Sequence, residues 1–402
     1  MREMEEEVLF LEEADDLEKK PKSKGKEAAP PLKTPRSKRE RTSGKKGARV
    51  VGRIALSVGT FLALFLCAVI AACYILLNGP SETMRDALVL SAKQASATKW
   101  IPGLFLSEDT VRKIEENSKT VTYDVISLDD VKGENTNAED EADEWADAIA
   151  GIRLVRIAKP TFKAYLMMIR DPSRVFVGVA SDFKSAKYGM RIFEIADKYN
   201  AVAAINGGEF PDEGGVGDGG TPIGITYSQG SLVYSGHTNR TFMGFTEDNR
   251  LVISEGMTEK KAKELKIRDG VCFQTGNGLI TNDGVNMTVH YADGNTGRAQ
   301  RTAIGQRADG TVLFLVTDGR TASSLGATHN DLIEIMLEYG AISAGKLDGG
   351  SSAQMYYRNY FDLYGIDQST LDEYQRKGLV NTYKAFTPPR RLPTFFVVGE
   401  EK

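Results

Sequence analysis

Cysteine and histidine are scarce in this sequence, and that scarcity excludes several kinds of protein. Only 3 of the 402 residues are Cys and only 3 are His. Cys67 and Cys73 lie in one apolar run, which leaves Cys272 without a second thiol in the rest of the chain. A disulfide framework is therefore excluded. The histidines are far apart and lack the spacing of metal ligands.

Several motifs are absent as well. The chain has no G-x-S-x-G elbow, no Walker P-loop and no H-E-x-x-H. Its formal net charge of -4 argues against a nucleic-acid-binding protein, which needs a basic surface. The remaining chemical groups are carboxylates, Arg, Asn and Ser, which suit acid/base or nucleophilic work on sugars and phosphodiesters.

One long apolar run is present, at residues 54–77. It holds no charged residue over 24 positions, and a helix of that length spans the roughly 30 Å core of a bilayer. A cleaved signal peptide has a shorter apolar region, and a buried core helix of this length would carry some charge. We interpret the run as an uncleaved signal anchor, the one contact with a lipid bilayer.

The charges flanking the run predict its orientation. Residues 1–53 carry 15 Lys and Arg against 11 Asp and Glu, a surplus of +4, so the remainder carries -8. The positive-inside rule leaves the basic side in the cytoplasm and exports the rest. Export without disulfides fits a bacterial, Gram-positive-type cell envelope. We expect a disordered cytoplasmic tail at 1–53, a helical stalk with an acidic linker at 78–150 and a catalytic domain at 151–402.

The exported domain is predicted to be α+β, with a mixed β-sheet core and flanking helices. Apolar runs rich in β-branched or aromatic residues predict strands, and helical periodicity predicts helices between them. The strands are expected at 165–170, 175–180, 201–205, 311–317 and 394–398. The helices are expected at 81–99, 107–117, 190–199, 258–265 and 330–339.

Four glycine-linked polar clusters follow or begin these strands. The first runs from Asn206 through Gly207 and Gly208 to Glu209, where two glycines let the backbone approach a ligand closely. Its alternative is a turn-rich hairpin. The second places Arg301 and Thr302 at the start of an apolar strand, where an Arg is either ion-paired or an anion clamp. The residues leave both alternatives open.

The third cluster carries Asp318 and Arg320 after an apolar strand, and the fourth follows the next helix. Ligands bind beyond the carboxyl ends of strands in open α/β sheets, although a plain Asp-Gly turn is the alternative. Parallel pairing of the two segments would bring Asp318 near Asp348. The fourth cluster consists of Asp348, Gly349, Gly350, Ser351 and Ser352.

No cofactor is predicted, although one loop offers oxygen ligands. Asp212, Glu213 and Asp218 lie in a glycine-rich stretch and could bind a hard cation such as Ca²⁺. The alternative is a solvated loop.

Together and in order, the four clusters resemble the phosphodiester glycosidase family, over residues 152–398. That family includes the lysosomal uncovering enzyme, which removes N-acetylglucosamine from mannose 6-phosphate diesters. The resemblance is to its membrane-anchored bacterial branch, described as exopolysaccharide-related. The sequence departs from the family pattern in two places. The family usually has Asn ahead of its LDGG, where this chain has Gly345-Lys346, and Glu209 stands where many members have an aromatic residue or Gly.

The resemblance implies hydrolysis of a sugar-1-phosphodiester at the anomeric carbon. In that reading Arg301, supported by Arg320, binds the phosphate. Asp348 is the nucleophile or base, and Asp318 is the partner carboxylate. Glu209 is a further catalytic candidate. Substrate-binding roles fall to Asn206, Gly207, Gly208, Thr302, Gly349, Gly350, Ser351 and Ser352.

The substrate implied is a sugar-phosphate polymer or glycoconjugate of the envelope. Two alternatives remain from the sequence. One is a non-catalytic envelope protein that binds such a polymer, and the other is a transferase in which a polymer hydroxyl replaces water.

Overall fold

A computed structural model describes residues 43–79, 81–93, 98–117, 121–128, 144–183, 187–292, 297–321, 324–383 and 388–401. These fall into two units, one ending at Leu66 and one beginning at Cys67. Most of the tail predicted at 1–53 lies outside the described residues. So do residues 129–143, which include most of the acidic linker.

One helix is long and apolar enough to cross a membrane. It is the part of α1 from Val51 to Asn78, which contains the predicted anchor. Seven further helices follow in the described residues, and they include the five predicted from periodicity. The helices are α1 (Ser43–Asn78), α2 (Glu82–Lys93), α3 (Glu108–Asn117), α4 (Ile192–Lys198), α5 (Glu259–Glu264), α6 (His329–Glu338), α7 (Tyr360–Leu363) and α8 (Glu373–Arg376).

The strands form three sheets, so the predicted α+β class is confirmed. The largest has eight strands in the order β1-β12-β11-β15-β13-β14-β3-β2. The others have the orders β7-β6-β10-β8-β9 and β16-β5-β17-β4. The bounds are β1 (Val121–Ser127), β2 (Ile152–Ala158), β3 (Lys163–Ile169), β4 (Val175–Val179), β5 (Ala203–Asn206), β6 (Thr226–Ser228), β7 (Ser231–Tyr234), β8 (Thr241–Thr246), β9 (Leu251–Glu255), β10 (Ile267–Phe273), β11 (Gly278–Asn282), β12 (Asn286–Ala292), β13 (Arg301–Arg307), β14 (Val312–Thr317), β15 (Ala341–Lys346), β16 (Met355–Tyr357) and β17 (Thr394–Val398).

The expected parallel pairing does not occur. Strands β14 and β15 are not neighbours, because β13 lies between them and is antiparallel to both. The ladders among the described strands are antiparallel, so the sheets are not mixed in strand direction. The inserted strand still leaves β14 and β15 running in the same direction. Their carboxyl ends therefore reach the same edge, about 10 Å apart across β13.

The core joins the three sheets through large aromatic side chains. Phe396 of β17 lies 6.2 Å from Phe245 of β8 and 6.5 Å from Phe314 of β14, measured between ring centroids. All three side chains are fully buried. The opposite face of the eight-stranded sheet packs against α6, through residues such as Leu332 and Ala344. Both faces of β13 and β15 are thus covered, which fixes their ends.

Strand β1 comes from the segment that we expected to be stalk. Val121–Ser127 pairs along its whole length with β12 at the edge of the eight-stranded sheet. The boundary expected at residue 150 therefore does not separate the sheet from the segment before it.

Candidate active site

The four predicted clusters converge at one edge of the eight-stranded sheet. Strand β13 begins at Arg301, between the ends of β14 and β15. The loops after β14 and β15 carry the third and fourth clusters. The first cluster follows β5 of the four-stranded sheet, and Asn206 connects it to the fourth. We call residues 348–352 the Asp348 loop.

The buried amide of Asn206 holds the Asp348 loop in place. Its Nδ2 donates to the carbonyl of Asp348 at 2.7 Å. Its Oδ1 accepts from the Thr302 hydroxyl at 2.7 Å and from the Gln354 backbone N–H at 3.1 Å. Asn206 is 0% exposed. The sugar- or phosphate-binding role predicted for Asn206 and Thr302 stays a prediction, and in the structure these side chains bond to each other.

Asp348 lies partly buried at the start of its loop, with an elevated pKa. Burial raises the pKa of its carboxyl to about 7, and Asp212 adds to the rise. Hydrogen bonds from Ser352 and from the Gly349 backbone N–H, the latter at 2.8 Å, and the charge of Arg390 oppose it. Near neutral pH both protonation states are therefore populated, as general acid/base or nucleophilic chemistry requires.

Sequence reasoning missed Arg390, whose positive charge lowers the pKa of Asp348. Its guanidinium grips the Asp212 carboxylate with two hydrogen bonds, one of them 2.8 Å long. It also donates to the Ser351 hydroxyl at 3.2 Å and stacks over the ring of Phe210, 4.7 Å from its centroid. Arg390 follows Pro389 just before the last strand. That position was visible in the sequence, but its partner 178 residues away was not.

Asp318 is a second carboxyl whose pKa burial raises. It is 2% exposed. Its Oδ1 accepts from the Thr382 backbone N–H at 2.9 Å, and its Oδ2 accepts from the Tyr165 hydroxyl at 3.4 Å. Thr382 lines a small surface cleft that also includes residues of the Asp348 loop. The cleft is lined by Gln300, Gly350, Ser351, Ala353, Thr382 and Tyr383.

Arg301 is buried and donates to main-chain carbonyls. Its Nε donates to Ala327 at 3.1 Å and its Nη2 to Gly297 at 2.9 Å. Burial lowers the pKa of Arg301 to about 10, and the charge of Arg320 adds to the effect. Arg301 thus secures the segment before β13 and the segment before α6, and its predicted phosphate contact stays a prediction.

Arg320 is exposed and sits beside the Asp348 loop. Its backbone is left-handed, with a φ of 55°. Its Nη2 donates to the Ser91 carbonyl at 3.4 Å. Its Nη1 is 3.9 Å from the point that a Cβ on Gly350 would occupy. Gly350 itself has a φ of 60°, which a residue with a side chain adopts only with strain.

The glycines of the first cluster make room for protein backbone rather than for a ligand. A Cβ on Gly207 would lie 2.7 Å from the Thr394 carbonyl oxygen, and one on Gly208 would lie 2.3 Å from that of Cys272. Gly349 shows the same constraint, because its Cβ would lie 2.8 Å from the carbonyl oxygen of Gln300. The substrate-binding roles of these glycines stay predictions.

Glu209 points into a different environment from the two aspartates. Its Oε2 forms a 2.7 Å ion pair with Arg240 Nε. Its backbone N–H donates to the Cys272 carbonyl at 2.8 Å. Among the described residues, no hydrogen bond or ion pair joins Glu209 to Asp348 or Asp318, and its catalytic role stays a prediction.

The possible Ca²⁺ loop is organised by a guanidinium instead. Asp212 faces Arg390, and the carbonyl of Asp218 accepts from the Gly189 backbone N–H at 2.9 Å. Among the residues that the structure describes, no group of three His, Cys, Asp or Glu side chains is placed to hold a metal ion.

Comparison with known families identifies one that matches this part of the chain. Residues 199–399, which are 201 of the 402 residues, match the phosphodiester glycosidase family. The match includes the Asn206 cluster, Arg301, both aspartates and Arg390. The chain belongs to the phosphodiester glycosidase family. The resemblance seen in the four sequence clusters is confirmed.

The individual relatives of this family member are distant. The SPbeta prophage-derived uncharacterized protein YomE of Bacillus subtilis is 28% identical over 247 residues, 56% of this chain and 36% of YomE. The chain thus spans about a third of that relative's length. The zebrafish N-acetylglucosamine-1-phosphodiester alpha-N-acetylglucosaminidase catalytic domain has 16% identity and a TM-score of 0.46, covering 70% of this chain and 89% of that domain. A hypothetical protein from Synechocystis has 14% identity and a TM-score of 0.36, covering 61% and 62%.

The Asn206 amide should be essential for stability. We expect Asn206→Ala to lower the free energy of unfolding by about 3 kcal/mol, because buried partners on two loops and β13 are left unpaired. Denaturant unfolding of the full chain in detergent measures this. Asn239→Ala, on an exposed loop, is the matched control and should change it by less than about 0.5 kcal/mol. Equal effects of the two variants would contradict the role of Asn206.

The elevated pKa of Asp348 predicts how stability depends on pH. A carboxyl whose pKa is about 7 in the folded protein and about 3.9 in the unfolded chain opposes folding increasingly as pH rises between these values. Asn cannot ionise, so Asp348→Asn should raise the melting temperature relative to wild type by about 5 °C at pH 8 and far less at pH 4.

Thermal unfolding at the two pH values tests this expectation. Asp197→Asn, an exposed change on α4, is the control and should leave the pH dependence of wild type unaltered. A gap between Asp348→Asn and wild type that does not widen with pH would show that Asp348 has an ordinary pKa.

Proposed function

We propose that this protein is a cell-surface hydrolase that cleaves a sugar-1-phosphodiester of an envelope glycan or exopolysaccharide. The observation that carries the proposal is Asp348, a carboxyl with its pKa raised to about 7, in the loop whose Gly350 and Ser351 line the cleft. The family assignment supports a phosphodiester glycoside as the substrate class. A panel of sugar-1-phosphate diesters is needed to identify the sugar and the group linked to its phosphate.

The proposed reaction breaks the bond between the anomeric carbon and a phosphate oxygen. The phosphate leaves with the bonding electron pair as a phosphomonoester, and a water oxygen becomes bonded to the anomeric carbon. In the role we favour, ionised Asp348 either takes the water proton or attacks first as nucleophile. Asp318 is the proposed partner carboxylate, held by Thr382 at the cleft wall.

A phosphate leaving group needs cations more than a proton donor, because its own pKa is low. Arg320 is exposed beside the Asp348 loop, and Arg301 is buried at the start of β13. We assign both to the phosphate, Arg320 by contact and Arg301 through its charge. Ser351, whose hydroxyl is oriented by Arg390, is proposed to contact the substrate.

The proposed location follows from the helix that is able to cross a membrane. Residues 1–53 are assigned to the cytoplasm and residues 54–77 to the membrane. The chain after residue 77 is assigned to the cell exterior, with 78–150 leading into the catalytic region at 151–402. The surplus of Lys and Arg before the apolar run supports this orientation.

A cleavage assay tests the activity. The full chain in detergent is offered a panel of sugar-1-phosphate diesters, and release of free sugar is measured. We expect Asp348→Asn to lose about a thousandfold in turnover, while Asp197→Asn stays active. Because Asp348 acts in its ionised form, kcat/KM should rise with pH through about 7 and level off above it.

Two other outcomes would overturn the hydrolase, and a third would change the role of Asp348. A folded wild-type protein that binds envelope polymers saturably but releases no sugar is a binding protein. Sugar joined to a hydroxyl acceptor instead of released to water identifies a transferase. A rate that falls as pH rises through 7 would make Asp348 an acid instead of a base or nucleophile.

Cysteine labelling tests the topology. In intact bacteria expressing the protein, a membrane-impermeant maleimide should label Glu264→Cys, an exposed position on α5. The same reagent should label Ser37→Cys only after the cells are opened. The reverse pattern would invert the proposed orientation.

A further inference from the structure

Lys346 emerges at the same sheet edge, on the face that packs against α6. It is the last residue of β15 and pairs with Ala303 of β13. Side chains alternate along a strand, so Lys346 lies on the side of Ala344, which packs in the α6 cluster. The opposite face is marked by Gly345, where a Cβ would meet Met243.

Arg301 lies on that same face, diagonal to Lys346. It stands two residues before Ala303, which also packs in the α6 cluster. Diagonal neighbours in an antiparallel pair are about 7–8 Å apart, within reach of two long side chains. The charge of Arg301 accordingly lowers the pKa of Lys346, after burial. Asp348 follows Lys346 by two residues along the chain.

Within the described residues, the Lys346 ammonium has no ion-pair or hydrogen-bond partner. Its other ionisable neighbour is His329 at the start of α6, whose pKa is lowered to about 3 by burial and by the charges of Lys346 and Arg301. The imidazole is therefore neutral. The nearby carboxylate of Asp331 is paired with Arg298 at 3.0 Å. Burial leaves this unpartnered amine with a strongly lowered pKa, and an anion bound beside it would favour its charged form.

A third cation borders the same space. Arg320 lies close enough to lower the pKa of Arg301, and its guanidinium approaches Gly350 of the Asp348 loop. The first turn of α6 also begins here, and a helix N-terminus favours negative charge. Lys346 and Arg301 thus share one face of the sheet, and Arg320 stands beside the loop that begins at Asp348.

We propose that Lys346 is a phosphate-binding residue, which holds the phosphate of the substrate together with Arg320 and next to Asp348. The proposal rests on the phosphodiester hydrolase proposed above and adds a prediction about its product. A phosphodiester carries one negative charge, whereas the phosphomonoester left after cleavage carries nearly two. Lys346 therefore holds the product more tightly than the substrate, and inorganic phosphate occupies the same place and inhibits the enzyme.

The test measures phosphate binding apart from catalysis. Inorganic phosphate is titrated calorimetrically into the full chain in detergent, for wild type, Lys346→Met, Lys346→Arg and Lys260→Met. Lys260 is exposed on α5, its side chain 88% accessible, and serves as the matched control. We expect Lys346→Met to bind phosphate about tenfold more weakly or worse, because a charge-assisted hydrogen bond is lost. Lys346→Arg and Lys260→Met should bind as wild type does.

Kinetics on a diester from the panel add a second readout. Lys346→Met should raise KM about tenfold with a smaller change in kcat. Its melting temperature without phosphate should not fall, since the amine removed has no hydrogen-bond or ion-pair partner among the described residues. If Lys346→Met does not fold, Lys346→Gln replaces it in both measurements.

The outcomes separate this inference from the proposed function. Loss of phosphate binding on removal of the Lys346 charge supports the site even if no diester is cleaved, in which case only the hydrolase fails. Unchanged phosphate binding in folded Lys346→Met overturns the site even if the hydrolase is active. A fall in melting temperature with unchanged phosphate binding in Lys346→Gln assigns Lys346 to the fold.

Discussion

The candidate site depends on one buried amide, that of Asn206. It stands where the four-stranded sheet meets the eight-stranded one, and bonds to groups from three separate parts of the chain. A hydrophobic core alone would leave the Asp348 loop free to shift over β13, because apolar contacts are not directional. The amide fixes its distance and orientation, since each hydrogen bond accepts only a narrow range of geometry.

Holding that loop against the protein has an electrostatic consequence. The position that makes Asp348 rigid also removes water from its carboxyl, which raises its pKa. Ionisation of Asp348 at neutral pH therefore lowers the free energy of unfolding. The same burial gives the carboxyl a pKa that suits acid/base chemistry. Arg390 limits the cost, but its charge is largely answered by Asp212. Without Asp212, the charge of Arg390 would oppose the rise in the pKa of Asp348 more strongly.

The sequence predicted the local features better than the long-range ones. The strands around Leu166, Phe314 and Phe396 were evident because continuous apolar runs mark strands buried on both faces. The positions of Asp348 and Asp318 at one edge also followed from strand order, although through a parallel pairing that is not formed. An inserted antiparallel strand gives the same placement, which the apolar pattern by itself does not reveal.

What the sequence concealed depends on partners far apart in the chain. The two glycines after Asn206 suggested room for a ligand, yet they accommodate the backbones of Thr394 and Cys272. A glycine pair shows that something approaches closely, without showing whether it is protein or ligand. Arg390 was hidden for the same reason, because an ion pair with Asp212 has no local signature in sequence.

The charged side chains around the site are unevenly distributed along the sheet edge. Lys346 and Arg301 lie on the α6 face of the sheet and Arg320 stands beside the Asp348 loop, whereas Arg390 and Asp212 neutralise each other. A substrate with one anionic and one neutral end has only one favourable orientation in such a field. In the function that we propose, its phosphate would face the cations and its sugar would face the cleft of Ser351 and Tyr383. Asp348 belongs to the same loop as Ser351, and we assign its carboxyl to the bond that joins phosphate to sugar.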